Sequence, residues 1–278
     1  MANVVMNGTG YALGSSPHIS VIIPAKNEEE RIKALLKDLS RQSLRHKGNE
    51  LTLETIVADG ASTDTTAEIA KAHNALVVEG GSPSAGRNNG AVYACGDILY
   101  FIDADVRIKN PRFVANSYLE FKKRELDIAG VRILPAWEKT ENTLDKFSLA
   151  LMYGVTDLYL RIFQFTSHPL AQGGCMIVKK NSFNEVNGFN ADTYWGEDSE
   201  LAEKMVSCGC KFGILPFHLS VHASTRNQME QGVINYYRNQ KTLNEARRRG
   251  IKIDITTYQS LTRRQSYFSD SVNRALKS

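Results

Sequence analysis

Apolar and polar positions along this chain switch between two periods. Ile19-Ser20-Val21-Ile22-Ile23-Pro24 is an apolar run stopped by proline and reads as a strand. Behind it Ile32, Leu35, Leu36 and Leu39 recur at helical spacing, with Asn27 placed to cap and Glu28, Glu29 and Glu30 in the first turn. The plan repeats as strand 53–58, turn 59–64, helix 65–73, strand 76–78 and helix 84–94. Ile98 to Ile102 follows, short enough for a strand and apolar enough to be buried on both faces. Strands alternating with helices across short links predict a parallel sheet with right-handed crossovers. All strand carboxyl ends then share one rim, which gathers residues 24–27, 59–64 and 103–105.

Beyond Asp105 the pattern predicts a helix opened by Asn110-Pro111 and running to Lys123, and a strand over 128–134. A second strand is expected over 170–178, a helix and turn over 183–189, a helix over 199–207 and a strand over 211–216. Met229, Val233, Tyr236, Tyr237 and Leu243 then mark a helix over 228–249 stopped by Gly250. Residues 1–17 read as a loose arm, and 251–278 carry no periodic signal and read as a basic tail. Residues 145–165 are the most apolar segment and approach the length of a membrane span. Asp157 and Arg161 interrupt it at the spacing of a helix salt bridge, which argues against a spanning helix. Two readings stay open: a helix covering the sheet, or one lying in a bilayer surface with Phe147, Leu151, Tyr159, Phe163 and Phe165 toward lipid.

With 278 residues, 42% hydrophobic and 23% charged, the chain can bury a sizeable core; the composition excludes a disordered or multi-span protein. The net charge of +4 does not call for a nucleic acid; the arginines and lysines crowding 247–278 could meet an anionic membrane face or RNA, and the favoured reading is a solvated helix end. Cys95, Cys175, Cys208 and Cys210 are scattered without zinc spacing and read as reduced thiols. No basic start followed by an apolar core precedes Ile19, so a cytoplasmic location is expected, or a peripheral one on the inner face of the cytoplasmic membrane.

The chemistry centres on Asp103 and Asp105, which end the apolar run 98–102. On an extended chain positions i and i+2 project to the same side, so both carboxylates can face one cation or one phosphate-bearing ligand. Oxygen ligands in this number suit Mg²⁺ or Mn²⁺ sharing its shell with a diphosphate and water. The alternative is a turn in which Asp-Ala-Asp caps or solvates a loop.

Five segments in this order resemble the family 2 glycosyltransferases: Val-Ile-Ile-Pro-Ala-Lys-Asn-Glu at 21–28, Val-Ala-Asp-Gly-Ala-Ser-Thr-Asp at 57–64, Ala-Gly-Arg-Asn-Asn-Gly at 85–90, Phe-Ile-Asp-Ala-Asp at 101–105 and Trp-Gly-Glu-Asp at 195–198. The resemblance implies a GT-A fold, an α/β architecture with a Rossmann-like, mostly parallel sheet flanked by helices, over 18–226, with a nucleotide-binding half 18–110 and an acceptor half 111–226. A carboxyl-terminal helical extension and tail, 227–278, complete the chain. It implies a nucleotide-diphospho-sugar donor contacted by Pro24, Ala25, Lys26 and Glu28, by Asp59 at the base, by Arg87 at the base or diphosphate, and by Asp103 and Ala104. Asp105 and His222 are the implied metal ligands, and Ser224-Thr225-Arg226 stand where they can cover the diphosphate. Gly173, Gly174, Trp195 and Glu197 fall on the acceptor side; a β-bulge would need the same glycines. Asp198 is the implied general base for a hydroxyl acceptor, whether sugar, lipid carrier or small molecule, in an inverting transfer of one sugar. Asp59 and Asp64 also suit an Asx turn with a helix cap, Arg87 also suits a helix surface, and Glu197-Asp198 also suit a helix start.

Two other functions fit the same sheet. A nucleotidyltransferase begins with a glycine-rich basic loop after its first strand, which Pro24-Ala-Lys-Asn-Glu28 is not. A non-catalytic nucleotide-sugar binder would not need Asp103, Asp105 and Asp198 together. The Gln-x-x-Arg-Trp motif of processive synthases is missing, which favours single-sugar transfer.

Overall fold

The structure is a computed structural model that describes residues 17–46, 49–137, 143–193, 195–225 and 233–262. The expected arm 1–16, Arg226, residues 228–232 and the tail 263–278 lie outside the described residues. In chain order the elements are β1 (Ile19–Ala25), α1 (Glu29–Ser40), β2 (Arg45–His46), β3 (Asn49–Glu50), β4 (Leu53–Asp59), α2 (Thr66–Ala72), β5 (Leu76–Glu79) and α3 (Pro83–Tyr93). There follow β6 (Ile98–Ile102), β7 (Val106–Arg107), α4 (Phe113–Lys123), β8 (Ile128–Gly130), β9 (Arg132–Ala136), α5 (Thr143–Phe163), β10 (Cys175–Lys179) and α6 (Lys180–Glu185). The last are α7 (Glu197–Ser207), β11 (Phe212–Ile214), β12 (Ser220–Ser224), α8 (Val233–Arg248) and α9 (Ile255–Thr262).

Seven strands form the main sheet in the order β11-β8-β10-β6-β1-β4-β5. All run parallel except β10, which is antiparallel to both β6 and β8. Residues along the central strands alternate between two cores, as a sheet covered on both faces requires. Ile98, Tyr100 and Ile102 enter one core with α1, α4 and α5, while Leu99 and Phe101 enter the other with α3, α6 and α7. The buried Glu54 accepts from Ser20 Oγ at 2.5 Å and from the Cys95 N–H at 2.6 Å, which fixes the turn leading into β6.

Three expectations need correction. The run 128–134 is two strands, because the chain leaves the main sheet after Gly130 and joins a second sheet in the order β7-β12-β9. The strand expected over 170–178 starts only at Cys175, since Gly174 takes a left-handed φ of 99° that ends the ladder. Residues 255–262 form a helix rather than a tail, its start held by Asp254, whose Oδ1 accepts from the Thr257 N–H at 2.7 Å. Ile253 is buried against Leu243 and Ala246 of α8.

One face of α5 meets the first of the two readings left open for 145–165. Leu149, Tyr153, Asp157 and Leu160 are buried, so the helix does cover the sheet. Asp157 pairs with Arg161 at 3.1 Å and Arg132 at 3.6 Å. No helix among the described residues is long and apolar enough to cross a membrane.

Candidate active site

The site begins with how α3 reaches the sheet. Ser82 caps the helix by accepting from the Ala85 N–H, and Pro83 occupies the first turn. Gly86 lies so close that a Cβ there would sit 3.4 Å from Pro24 and 3.5 Å from Ala58. That approach carries Arg87 into the interior, with its side chain only 4% exposed, so it is not a surface residue of its helix. Its guanidinium donates to Asp103 Oδ1 at 2.8 Å and to Glu197 Oε1 at 2.9 Å, and lies 3.9 Å from Asp198 Oδ1. Phe189 forms the floor, 5.4 Å from the guanidinium carbon to its ring centroid. Burial would lower the pKa of Arg87, but Asp103, Asp198 and Glu197 outweigh it and raise it, so the cation is held firmly charged.

Glu197 and Asp198 stand in the first turn of α7, where acids favour the helix dipole, after Gly196 turns the chain at φ 79°. Burial pushes Asp198 up to about 8, with Glu197 and Asp103 adding to the shift and Arg87 opposing it. Because β10 runs backwards, its first residues arrive at the rim where the parallel strands end: Cys175 lies opposite Ile102. Gly173 therefore abuts the acids, and a Cβ there would stand 2.6 Å from Asp198 Oδ2 and 3.9 Å from Asp103 Oδ2. Ser199 ties this segment to α7, its Oγ donating to the Ala171 carbonyl at 3.0 Å and accepting from the Ala171 N–H at 3.1 Å. Trp195 packs beside the cluster of Leu243, Ala246 and Ile253, and Arg247 of α8 pairs with Glu203 at 2.9 Å.

On the donor side, the turns after β1 and β4 are laced together. Asn27 donates its N–H to Ser62 Oγ at 2.9 Å and accepts from the Thr63 N–H at 2.8 Å, while the Glu28 N–H donates to Thr66 Oγ1 at 2.9 Å. Pro24 and Ala25 end β1, Lys26 is exposed, and the Glu28 carboxylate accepts from Arg31 at 2.8 Å. Asp59, opposite Ala25, accepts from the Ser62 N–H and hydroxyl, an Asx turn. Asp64 accepts from Thr66 and from the Glu29 N–H, so it is engaged as a cap. Gly80 allows the next turn to close on Asp59: any Cβ would strike the Asp59 carbonyl carbon at 2.6 Å.

The acid pair itself departs from the extended geometry expected for it. The chain turns after Ile102, with the Val106 N–H donating to the Asp103 carbonyl at 3.1 Å. Asp103 faces Arg87, whereas the charges acting on Asp105 include Glu28 and Arg31. Burial, then Asp103 and Glu28, push Asp105 up to about 7, with Arg31 opposing. Such crowding of acids is what a divalent cation relieves, so the donor set fits Mg²⁺ or Mn²⁺. Among the described residues no three His, Cys, Asp or Glu side chains could hold an ion alone, so diphosphate and water would have to complete its shell. His222 stands in β12 opposite Arg107, with Nδ1 buried and without a hydrogen-bond partner. Burial, Lys109 and Arg107 lower its pKa, which keeps the imidazole neutral as a ligand must be. Ala104 is buried between the two acids.

Sequence reasoning did not mark Phe189, Asn88 or Ser199. Asn88 and Phe189 exchange two hydrogen bonds, at 2.8 and 2.9 Å, which lock the floor under Arg87. The only signal was the position of Asn88 beside Arg87.

Comparison with known proteins gives the family and the fold. The profile for Glycosyl transferase family 2 covers residues 20–186, and one described as N-terminal domain of galactosyltransferase covers 165–228. A 4,4'-diaponeurosporenoate glycosyltransferase of Staphylococcus haemolyticus is 32% identical over 206 residues, 68% of this chain and 52% of that protein. One from Staphylococcus aureus is 33% identical over 96 residues, 32% of this chain and 24% of that protein. The chain thus spans about half the length, or less, of these relatives. The mannosyltransferase PcManGT of Pyrobaculum calidifontis, solved with GDP-Man and Mn²⁺, superposes with a TM-score of 0.61 at 17% identity, covering 94% of this chain and 70% of that one. TarS of S. aureus, solved with UDP-GlcNAc, gives 0.56 at 19% identity over 74% and 58%. These two share the GT-A fold, and the profile match over more than half of the sequence carries the assignment: the chain belongs to the family 2 glycosyltransferases.

Proposed function

We propose that this chain transfers one sugar from a nucleotide-diphosphate donor to an acceptor hydroxyl, with inversion, and with Asp198 as the base. The observation that carries this reading is the contact of Asp198 with Gly173 on one side and with the Arg87 cluster holding Asp103 on the other. It puts one carboxylate at the junction of the donor and acceptor segments. In the transfer, the acceptor O–H proton passes to Asp198 as its oxygen bonds to the anomeric carbon, and the bond from that carbon to the diphosphate oxygen breaks with its electrons. Attack assisted by a single base on the face opposite the leaving group gives inversion. Asp105, with His222 from the adjoining strand, would hold a divalent ion, whose chemistry is to stabilise charge on the departing diphosphate. Asp59, Lys26 and Glu28 line the turns where the nucleoside would lie. Nucleotide-sugar and Mn²⁺ complexes of the structural neighbours support this donor class.

The name of the Staphylococcus relatives and the exposed apolar face of α5 support an acceptor with a lipid part. A thermal-shift screen of nucleotide sugars with and without Mn²⁺ tests the donor, since a bound ligand raises the melting temperature by mass action. Failure of every nucleotide sugar to shift it, with or without the ion, refutes the proposal.

A further inference from the structure

The outer face of α5 is the largest feature that the proposed reaction leaves unused. Leu144, Phe147, Leu151, Val155, Leu158, Ile162 and Phe165 recur every three or four residues, and each is between 59% and 85% exposed. The other exposed positions on the helix are Thr143, Ala150 and Gly154, so this face carries no charge over its whole length. Every charged residue of α5 is turned aside: Asp145, Lys146 and Arg161 are half-buried, and Asp157 is buried in its pairs with Arg161 and Arg132. At 1.5 Å per residue the apolar strip is about 30 Å long.

We infer that this face docks on an anionic lipid bilayer, with α5 lying flat in the interface. Two observations select lipid over a second copy of the chain. The neighbouring α8 packs against α5 and exposes Arg238 and Lys241. A basic flank beside an uncharged apolar strip is the chemistry of an interfacial helix on acidic headgroups. Finally, Phe217 is 56% exposed near the carboxyl end of α5 with the Arg161 guanidinium 3.7 Å and that of Arg132 5.2 Å from its ring centroid. An aromatic ring topped by cations suits the headgroup level.

Docking also orients the cleft. From Phe165 the chain runs directly to Gly173, which abuts Asp198, so the bilayer face and the acceptor wall belong to one continuous segment. This extends the lipid-acceptor reading to a surface without depending on it, because binding to vesicles needs no turnover.

Flotation with phosphatidylcholine vesicles, with and without phosphatidylglycerol, tests the inference on the whole chain. Wild type is expected to float with the anionic vesicles. The double variant Leu151→Asp/Leu158→Asp should bind roughly a hundredfold less, with an unchanged melting temperature because both side chains are exposed. Arg238→Glu/Lys241→Glu should weaken binding to anionic vesicles alone. Absence of flotation by wild type overturns the inference, and so does a wild-type dimer that sediments as a monomer once Leu151 and Leu158 are replaced. A protein that floats yet glycosylates only water-soluble acceptors removes the lipid-acceptor reading and leaves the docking face standing.

Discussion

Arg87 and Asp103 form a 2.8 Å ion pair in the interior of the cleft, and the same guanidinium reaches Glu197 at 2.9 Å. Asp103 after β6 and the acids that open α7 are thus joined through one buried guanidinium. Replacing Arg87 with Met leaves Asp103, Glu197 and Asp198 without their cation and should cost about 3–5 kcal/mol. Arg87→Lys keeps the charge but cannot span both acids, so it should retain more stability and still lose turnover. Thermal melts and initial rates on both variants check this, and equal activity in Arg87→Lys and wild type would remove the bridging role.

Asp198→Asn should leave donor binding largely intact and abolish transfer, as calorimetry beside a turnover assay will read. Asp105→Asn should instead weaken Mn²⁺-dependent donor binding. Undiminished turnover in Asp198→Asn contradicts the assignment of the base.

The pH dependence separates activity from stability. With Asp198 raised to about 8, kcat/KM should climb with pH up to that value, the apparent pKa belonging to the coupled acids around Arg87. Stability moves the other way. A carboxyl whose folded pKa exceeds the ordinary 3.8 binds more protons folded than unfolded, so its contribution is complete below about 4 and lost as pH rises through about 8. Asp198→Asn should flatten the stability trend in this window, and an unchanged slope would place the shifted group elsewhere.

Two glycines make opposite predictions. Gly173→Ala puts a methyl group against Asp198 and should lower kcat with little change in donor KM. Gly154→Ala, on the open face of α5 with nothing within 4 Å of the added carbon, should stabilise the helix by up to about 1 kcal/mol. Steady-state kinetics of the first and denaturant melts of the second decide.

Glu54 is 6% exposed and receives Ser20 and the Cys95 N–H on one oxygen. Glu54→Ala orphans these donors and should cost about 2–4 kcal/mol with no specific effect on the donor KM. A melting curve coincident with wild type would show that water replaces the carboxylate.

Residues 18–110 were legible because their periodicity is strong and local. Apolar runs of strand length, each followed by a helical repeat, placed Ala25, Asp59 and Asp103 on one rim, and the strand register agrees. Residues 111–226 were harder where tertiary context overrides the local pattern. Nothing in Ile128–Leu134 signals that the chain changes sheets at Val131, since both halves are equally apolar. No strand was expected around His222, because β12 gains its ladder only from the distant β9 and β7. The α9 helix escaped because eight residues offer too few turns for a period to emerge. The link from Arg87 to Glu197 spans 110 positions and has no sequence signature beyond the two motifs themselves.

The lone reversed strand divides the labour within the main sheet. β1, β4, β5 and β6 are finished by Ile102, and β10 then brings its leading end back to the same rim. The register of these parallel strands is therefore set by neighbours close in the chain, and α5 enters later by packing Leu149 and Tyr153 into the core they share. Variation confined to the outer face of α5 would leave that register untouched.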